Sequence, residues 1–196
     1  MATINDFGIA GLDQGMILHP KHKNRWRVEF VNLAQEPDSG RVLSLNASKT
    51  DLPHLSKQEV AIHRYNSTVY VAGKHEWSEL NITIDDNVSN DAIRAIQAQE
   101  QLTQHIIGVE GPWLAAKPEA SLYKFGMKII SLDGGTAELA TWHIEGCWFK
   151  SINWGSLDYS DSGAVAIDLT VRYDHAYQTI ATYSGGQGRA TGGMAT

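Results

Sequence analysis

The chain has 196 residues, 42% of them hydrophobic, with a formal net charge of −6 and a single cysteine. This length supports one domain with a substantial core. The mild acidity excludes a protein that grips nucleic acid through clustered Lys and Arg, and the lone Cys147 excludes an intrachain disulfide.

Residues 1–24 are Gly-rich and polar and read as an extended N-terminal arm. Met1 to Gly15 lacks the basic and apolar runs of a signal peptide, and no stretch has the apolar length of a membrane span, so no membrane anchor and synthesis in a reducing cytoplasm are expected. The Asn-x-Ser/Thr triplets at Asn46, Asn66 and Asn81 are then chance matches. From Arg25 the signal is alternation: Trp26, Val28 and Phe30 face one way, Arg27 and Glu29 the other. That period of two belongs to strands with one buried face. Val60 to Ala72, rich in Val, Tyr, Thr and Ile, reads as one long strand that bends at Gly73-Lys74. It carries no Pro and one formal charge, Arg64, so it lacks the usual protection of a sheet edge and is able to pair with a neighbouring copy. An internal strand of a monomeric sandwich explains the same pattern equally well.

Leu80, Ile82 and Ile84 alternate with Asn81 and Thr83. Ser89-Asn90-Asp91 then offers N-cap candidates, and a helix is expected over about 90–107, with Ala92, Ile93, Ile96, Ile106 and Ile107 on one side and Gly108 ending it. Tyr123, Phe125, Met127 and Ile129 restore the strand period, and Asp133-Gly134-Gly135 marks a turn. Cys147 lies among apolar neighbours as a small buried hydrophobe, and Trp142 alternates with Ile144 as core. Asp158 to Gly163 is a loop before the strand Val165–Tyr173, and a Gly-rich, flexible tail follows from 178 to 196. The expected fold is mainly β: one antiparallel β-barrel or sandwich domain over 25–177 with one flanking helix and two arms. Six tryptophans exceed what a core needs, and Trp113, in the loop Gly111-Pro112-Trp113, is the interface candidate.

Catalytic and metal patterns are weak. His19 and His22 have no carboxylate partners at metal spacing, and Gly186-Gln187-Gly188 lacks the strand and helix of a phosphate loop. Asp85-Asp86-Asn87 reads as a turn before a helix, and Asp85, Asp133 and Glu145 show no convergence for a hydrolase. No catalytic residue, metal or cofactor is assigned.

Four blocks in order carry a resemblance. Arg25 to Leu33, Tyr65 to Asp86, Trp142 to Gly155 and Val165 to Ala176 together resemble the tail tube proteins of contractile-tailed bacteriophages, whose fold is similar to that of type VI secretion tube proteins. The resemblance implies a structural virion protein: hexameric rings stacked into an inner tail tube, within a sheath and joined to baseplate and tape-measure proteins, through which DNA passes into the host. It places the chain in the phage tail, or in the host cytoplasm during assembly. It also implies lateral strand pairing, with Tyr65, Val69 and Val71 as candidates, and a stacking loop in the stretch Val42–Val60, with Asp51, Leu52, Pro53, His54 and Leu55 as candidates. Asp168 on the polar face of the last strand is the lumen candidate, since a neutral or acidic wall lets phosphate slide. Gly108–Ala120 and the Gly-rich tail depart from the shorter family members. The alternatives are a carbohydrate-binding β-sandwich and the tube of a type VI or phage-derived injection particle. Deleting Asp51–Lys57 is expected to leave folded subunits that no longer stack; electron micrographs showing unaltered tubes would contradict this.

Overall fold

A computed structural model of the chain describes residues 21–35, 37–103, 120–133, 137–160 and 162–181. The elements run β1 (Trp26–Val31), α1 (Pro37–Asn46), β2 (Ala47–Thr50), β3 (Leu55–Arg64), β4 (Ser67–Trp77), β5 (Leu80–Asp85), α2 (Asp91–Leu102), the single-turn α3 (Ala120–Tyr123), β6 (Phe125–Leu132), β7 (Glu138–Asn153), β8 (Ala166–Arg172) and β9 (His175–Ile180). Seven strands form one sheet in the order β1-β6-β7-β8-β5-β2, with β9 also on β7, and β3 and β4 form a separate pair. Every pairing is antiparallel.

The long strand β7 folds this sheet over. Its first half pairs with β6 and β9, and its second half pairs with β8. The bend sits at Gly146, whose φ is 69° and whose Cβ, if present, would meet Asp174 Oδ2 at 2.3 Å. Only glycine fits there. Asp174 N–H donates to the Glu145 carbonyl, and Lys124 Nζ grips the Asp174 carboxylate at 2.5 Å. The folded sheet is a sandwich around Val28, Ile82, Met127, Ile144, Leu169 and other buried residues. Phe125 bridges it, its ring 6.1 Å from Phe30 and 5.1 Å from Phe149. No closed barrel forms among the described residues: β1 and β2 approach without pairing, leaving a groove of about 600 Å³ lined by Trp26, Leu45, Ala47 and Lys23.

The helix expected over 90–107 is α2. It spans Asp91–Leu102, with Thr103 as C-cap, and residues 104–107 lie outside the described ones. Its N-cap Asn90 makes no side-chain cap bond; Asn87 Oδ1 accepts the Asp91 N–H instead. Ala92, Ala95, Ile96 and Gln99 form the buried stripe. Buried Gln99 accepts from Ala34 N–H at 2.7 Å and donates to the Tyr123 carbonyl at 2.5 Å. It thereby pins a turn in which Asn32, Ala34 and Gln35 all have positive φ.

Three expectations are corrected. Val60 to Ala72 is two strands of a hairpin, not one, because the chain reverses at Tyr65-Asn66 with φ 41° at Tyr65. Val42–Val60 is not a loop: it holds the end of α1, all of β2, a short link at 51–54 and the start of β3. Gly73-Lys74 lies inside β4, near the bulge between Lys57 and Glu59. The helix α1 also adds a second flanking helix. It exists because Gly40 lets it sit on β1, where a Cβ would come within 2.5 Å of the Phe30 carbonyl. Ser44 Oγ there accepts the Phe30 N–H at 3.3 Å and donates to the Gly40 carbonyl at 2.7 Å, so the β1 edge is capped.

Gln99→Leu removes the partners of one buried and one part-buried backbone group and is expected to cost roughly 2–4 kcal/mol. Urea unfolding, with the midpoint lowered and the slope kept, checks this.

Candidate functional site

The surface with unmet needs is the ribbon β3–β4 and the half-sheet from which it grows. Thr50 pairs Ile82, Asp51 N–H donates to the Asn81 carbonyl, Ser78 N–H donates to the His54 carbonyl, and Leu55 then pairs Trp77. β2–β3 and β4–β5 are therefore one long hairpin, half in the body and half outside it. The outer part rises about 3.4 Å per residue, so it projects roughly 30 Å. All ten residues of β3 are exposed. The cross-strand pairs Val60–Val71 and Ile62–Val69 put four β-branched side chains on one face, each 40–52% exposed. A two-stranded hairpin is marginal in water without cover for such a face.

The other strands supply edges. α1 caps β1. The half of β7 over Trp148–Asn153 pairs β8 on one side only, and β2 pairs only β5. The outward face of β2, β5 and β8 is a polar lattice. Thr83 Oγ1 donates to Asp168 Oδ1 at 2.8 Å, Ser48 Oγ to Asp85 Oδ1 at 3.1 Å, and Asn81 Nδ2 to Asp51 Oδ2 at 3.0 Å. Thr170 Oγ1 donates to Asn81 Oδ1 at 3.3 Å. Lys150 pairs with Glu79, and Arg172 with Glu76 at 3.4 Å. The acids of this face accept mainly from neutral donors and keep their charge, while Lys150 and Arg172 are matched by Glu79 and Glu76, so the wall is mildly acidic.

Asp51, Leu52, Pro53 and His54 form the link at the base of the projecting ribbon, and Leu55 opens β3. Tyr65 is its fully exposed tip, and Val69 and Val71 lie on its aliphatic face. The ribbon thus unites the stacking and pairing candidates. Asp168 sits apart, on the polar lattice of the body. Trp113 lies outside the described residues. Trp142 packs partly buried against the core, and Trp154 is exposed. Missing from the sequence reading were the turn at Tyr65-Asn66 and the lattice partners Ser48, Asn81 and Thr83. The alternation did carry a signal for the turn. Val60 and Ile62 are even-numbered whereas Val69 and Val71 are odd, and that phase change is a chain reversal.

No group of three His, Cys, Asp or Glu is placed to hold a metal among the described residues, and none of their helices is long and apolar enough to cross a membrane. Cys147 is buried, with Sγ 3.6 Å from the Ile144 carbonyl. Burial, and after it the Asp174 carboxylate, push its thiol up to about 12 from an ordinary 9.0.

No protein-family model matches the sequence, and no curated protein sequence does. Solved structures do share its fold. A chain of the cap that terminates the anti-feeding prophage tube superposes with a TM-score of 0.63 at 12% identity, over 88% of this chain and 99% of that one. A chain of the six-fold symmetrised anti-feeding prophage baseplate gives 0.61 at 12%, over 83% and 97%. A chain of the sheath–tube complex of an extracellular contractile injection system, in its extended state, gives 0.57 at 12%, over 84% and 94%. The chain therefore has the tail-tube-related fold found in contractile injection systems.

Native protein is expected to leave Cys147 unmodified by iodoacetamide at pH 8, while denatured protein reacts fully. The folded state keeps a proton that the unfolded state releases above pH 9.0, so stability should fall as pH rises from 9.0 toward 12. Thiol mass labelling and pH-dependent melting check both.

Proposed function

We propose that the chain is the subunit of an inner tail tube, assembling as hexameric rings that stack within a contractile sheath. The observation that carries this is the projecting ribbon, a long hairpin exposed at every β3 position with an aliphatic face and nothing packed on it among the described residues. The tail-tube-related fold supports it.

Strand direction supports lateral closure. β7, β8, β5 and β2 alternate in direction, so β7 runs opposite to β2. Laying the open Trp148–Asn153 edge of one copy against the open β2–β3 edge of the next continues that alternation without a break. The two edges differ in sequence, so the contact is heterologous, and it gives a ring where the rotation between copies closes. The polar lattice of β5 and β8, with Asp168 at its centre, then faces the lumen. Its carboxylates accept from the neutral donors Thr83, Ser48 and Asn81 and so keep their negative charge, which repels the phosphates of passing DNA. Sheath, baseplate and tape-measure proteins are the partners this reading requires. A tube in a phage-derived injection particle is the second reading, favoured by the likeness to the anti-feeding prophage and extracellular injection-system chains.

Placing two charges on the aliphatic face, as Val69→Asp with Val71→Asp, is expected to leave a folded body of unchanged circular dichroism but to abolish assembly. Size-exclusion chromatography and negative-stain microscopy check this. Rods formed as readily as by the parent chain would overturn the reading.

A further inference from the structure

The groove between β1 and β2 is a break in the sheet that neither the ribbon nor α1 fills. Leu132 N–H donates to the Arg25 carbonyl, so the bonded positions of the β1–β6 ladder fall at Arg25, Arg27 and Glu29. The N–H and C=O groups of Trp26, Val28 and Phe30 therefore point away from β6. Ser44 Oγ takes the Phe30 N–H, so α1 seals only that end of the edge. The backbone groups of Trp26 and Val28 open into the groove, and no described residue bonds them.

The walls are apolar, from Trp26, Val28, Leu45 and Ala47, and Leu45 is 76% exposed. In a chain of net charge −6, the lining holds Lys23 and Arg27 and no Asp or Glu. Arg27 is matched by Glu29 at 2.9 Å and Glu138 at 2.7 Å. Lys23 is not matched. Neither is Lys21 just before it, nor Arg41, one turn ahead of Leu45 on the same face of α1; all three are exposed and enter no ion pair among the described residues.

We propose that this groove binds an extended acidic segment of another protein, which adds a short strand antiparallel to β1. Every step across the sheet from β1 to β2 is antiparallel, so the two walls run in opposite directions and one strand matches only one of them. The guest bonds Trp26 and Val28 and packs its flank on Leu45 and Ala47. Its side chains alternate: those level with Val28 enter the groove and are apolar, and those level with Arg27 stand beside Lys23 and are acidic. Nucleic acid fits less well, because it leaves the edge N–H and C=O groups unpaired and finds few free cations. The proposal does not depend on copies assembling.

The test adds a labelled peptide of alternating Glu and Val to the full-length chain and reads fluorescence anisotropy and residue-resolved amide exchange. Binding is expected, with exchange slowed at Trp26 and Val28 but little changed at Arg27 and Glu29, which β6 already bonds. Lys23→Glu with Arg41→Glu should weaken binding about tenfold by reversing the charge. Leu45→Asp, at a position the fold leaves exposed, should weaken it as well. A peptide with Lys in place of Glu, or with N-methyl groups along its bonding edge, should not bind. Equal binding of either control would overturn the proposal, as would no binding of the acidic peptide or tighter binding of a single-stranded oligonucleotide. Trp26 and Val28 amides already protected in the free chain would also overturn it, by giving the groove to another part of the same chain.

Discussion

Backbone N–H and C=O groups along the rim of an open sheet need partners, and this chain meets that need unevenly. At β1 the solution is internal: α1 lies on the edge, and Ser44 takes the Phe30 N–H. At β2, at the second half of β7 and along both sides of the ribbon, nothing comparable covers the rim among the described residues. Soluble monomers protect such edges with Pro, charge or bulges. Here a single bulge between Lys57 and Glu59 interrupts a long exposed ribbon with paired Val and Ile on one face. The difference between a sealed edge and an offered one gives the molecule direction.

The same hairpin serves body and projection, and this couples folding to assembly. β2 and β5 are anchored in the sandwich through Ile82 and Ile84, while β3 and β4 extend the same register into solvent. Energy from packing the body therefore presents the ribbon in a fixed direction. A partner that covers its four half-exposed β-branched residues gains roughly 1 kcal/mol for each, and a subunit with many such neighbours gains that amount repeatedly. Tyr65 at its tip occupies a positive-φ position that Gly or Asn would hold with less strain, and its side chain stands clear of the body.

Much of the architecture was legible in the sequence because burial follows period two. Leu80, Ile82 and Ile84, and later Ile167, Leu169 and Val171, are all buried as their alternation required. The helix α2 was visible from its apolar stripe. The helix α1 was not, since Pro37-Asp38-Ser39-Gly40 is poor helix-forming sequence, and contacts to Phe30 across the fold hold it in place. Gln99 was hidden for the same reason: its partners Ala34 and Tyr123 are distant in the chain. For the candidate site, the residues of the ribbon were identifiable, but their hairpin was not. A tyrosine at the turn gave no turn signal, and only the phase change between Ile62 and Val69 betrayed the reversal. The loop read over Asp158–Gly163 carried no signal that Leu157 and Tyr159 stand fully exposed, because exposure of single apolar residues in a connection has no sequence pattern.

Amide hydrogen exchange on the purified chain, compared before and after assembly into rods, reports most directly whether copies share their sheets. Unassembled subunits should exchange quickly over Leu55–Trp77 and along Trp148–Asn153, and both segments should become strongly protected in rods while β1, already capped by α1, changes little. Rods in which those two segments still exchange at the rate of the free subunit would contradict the account.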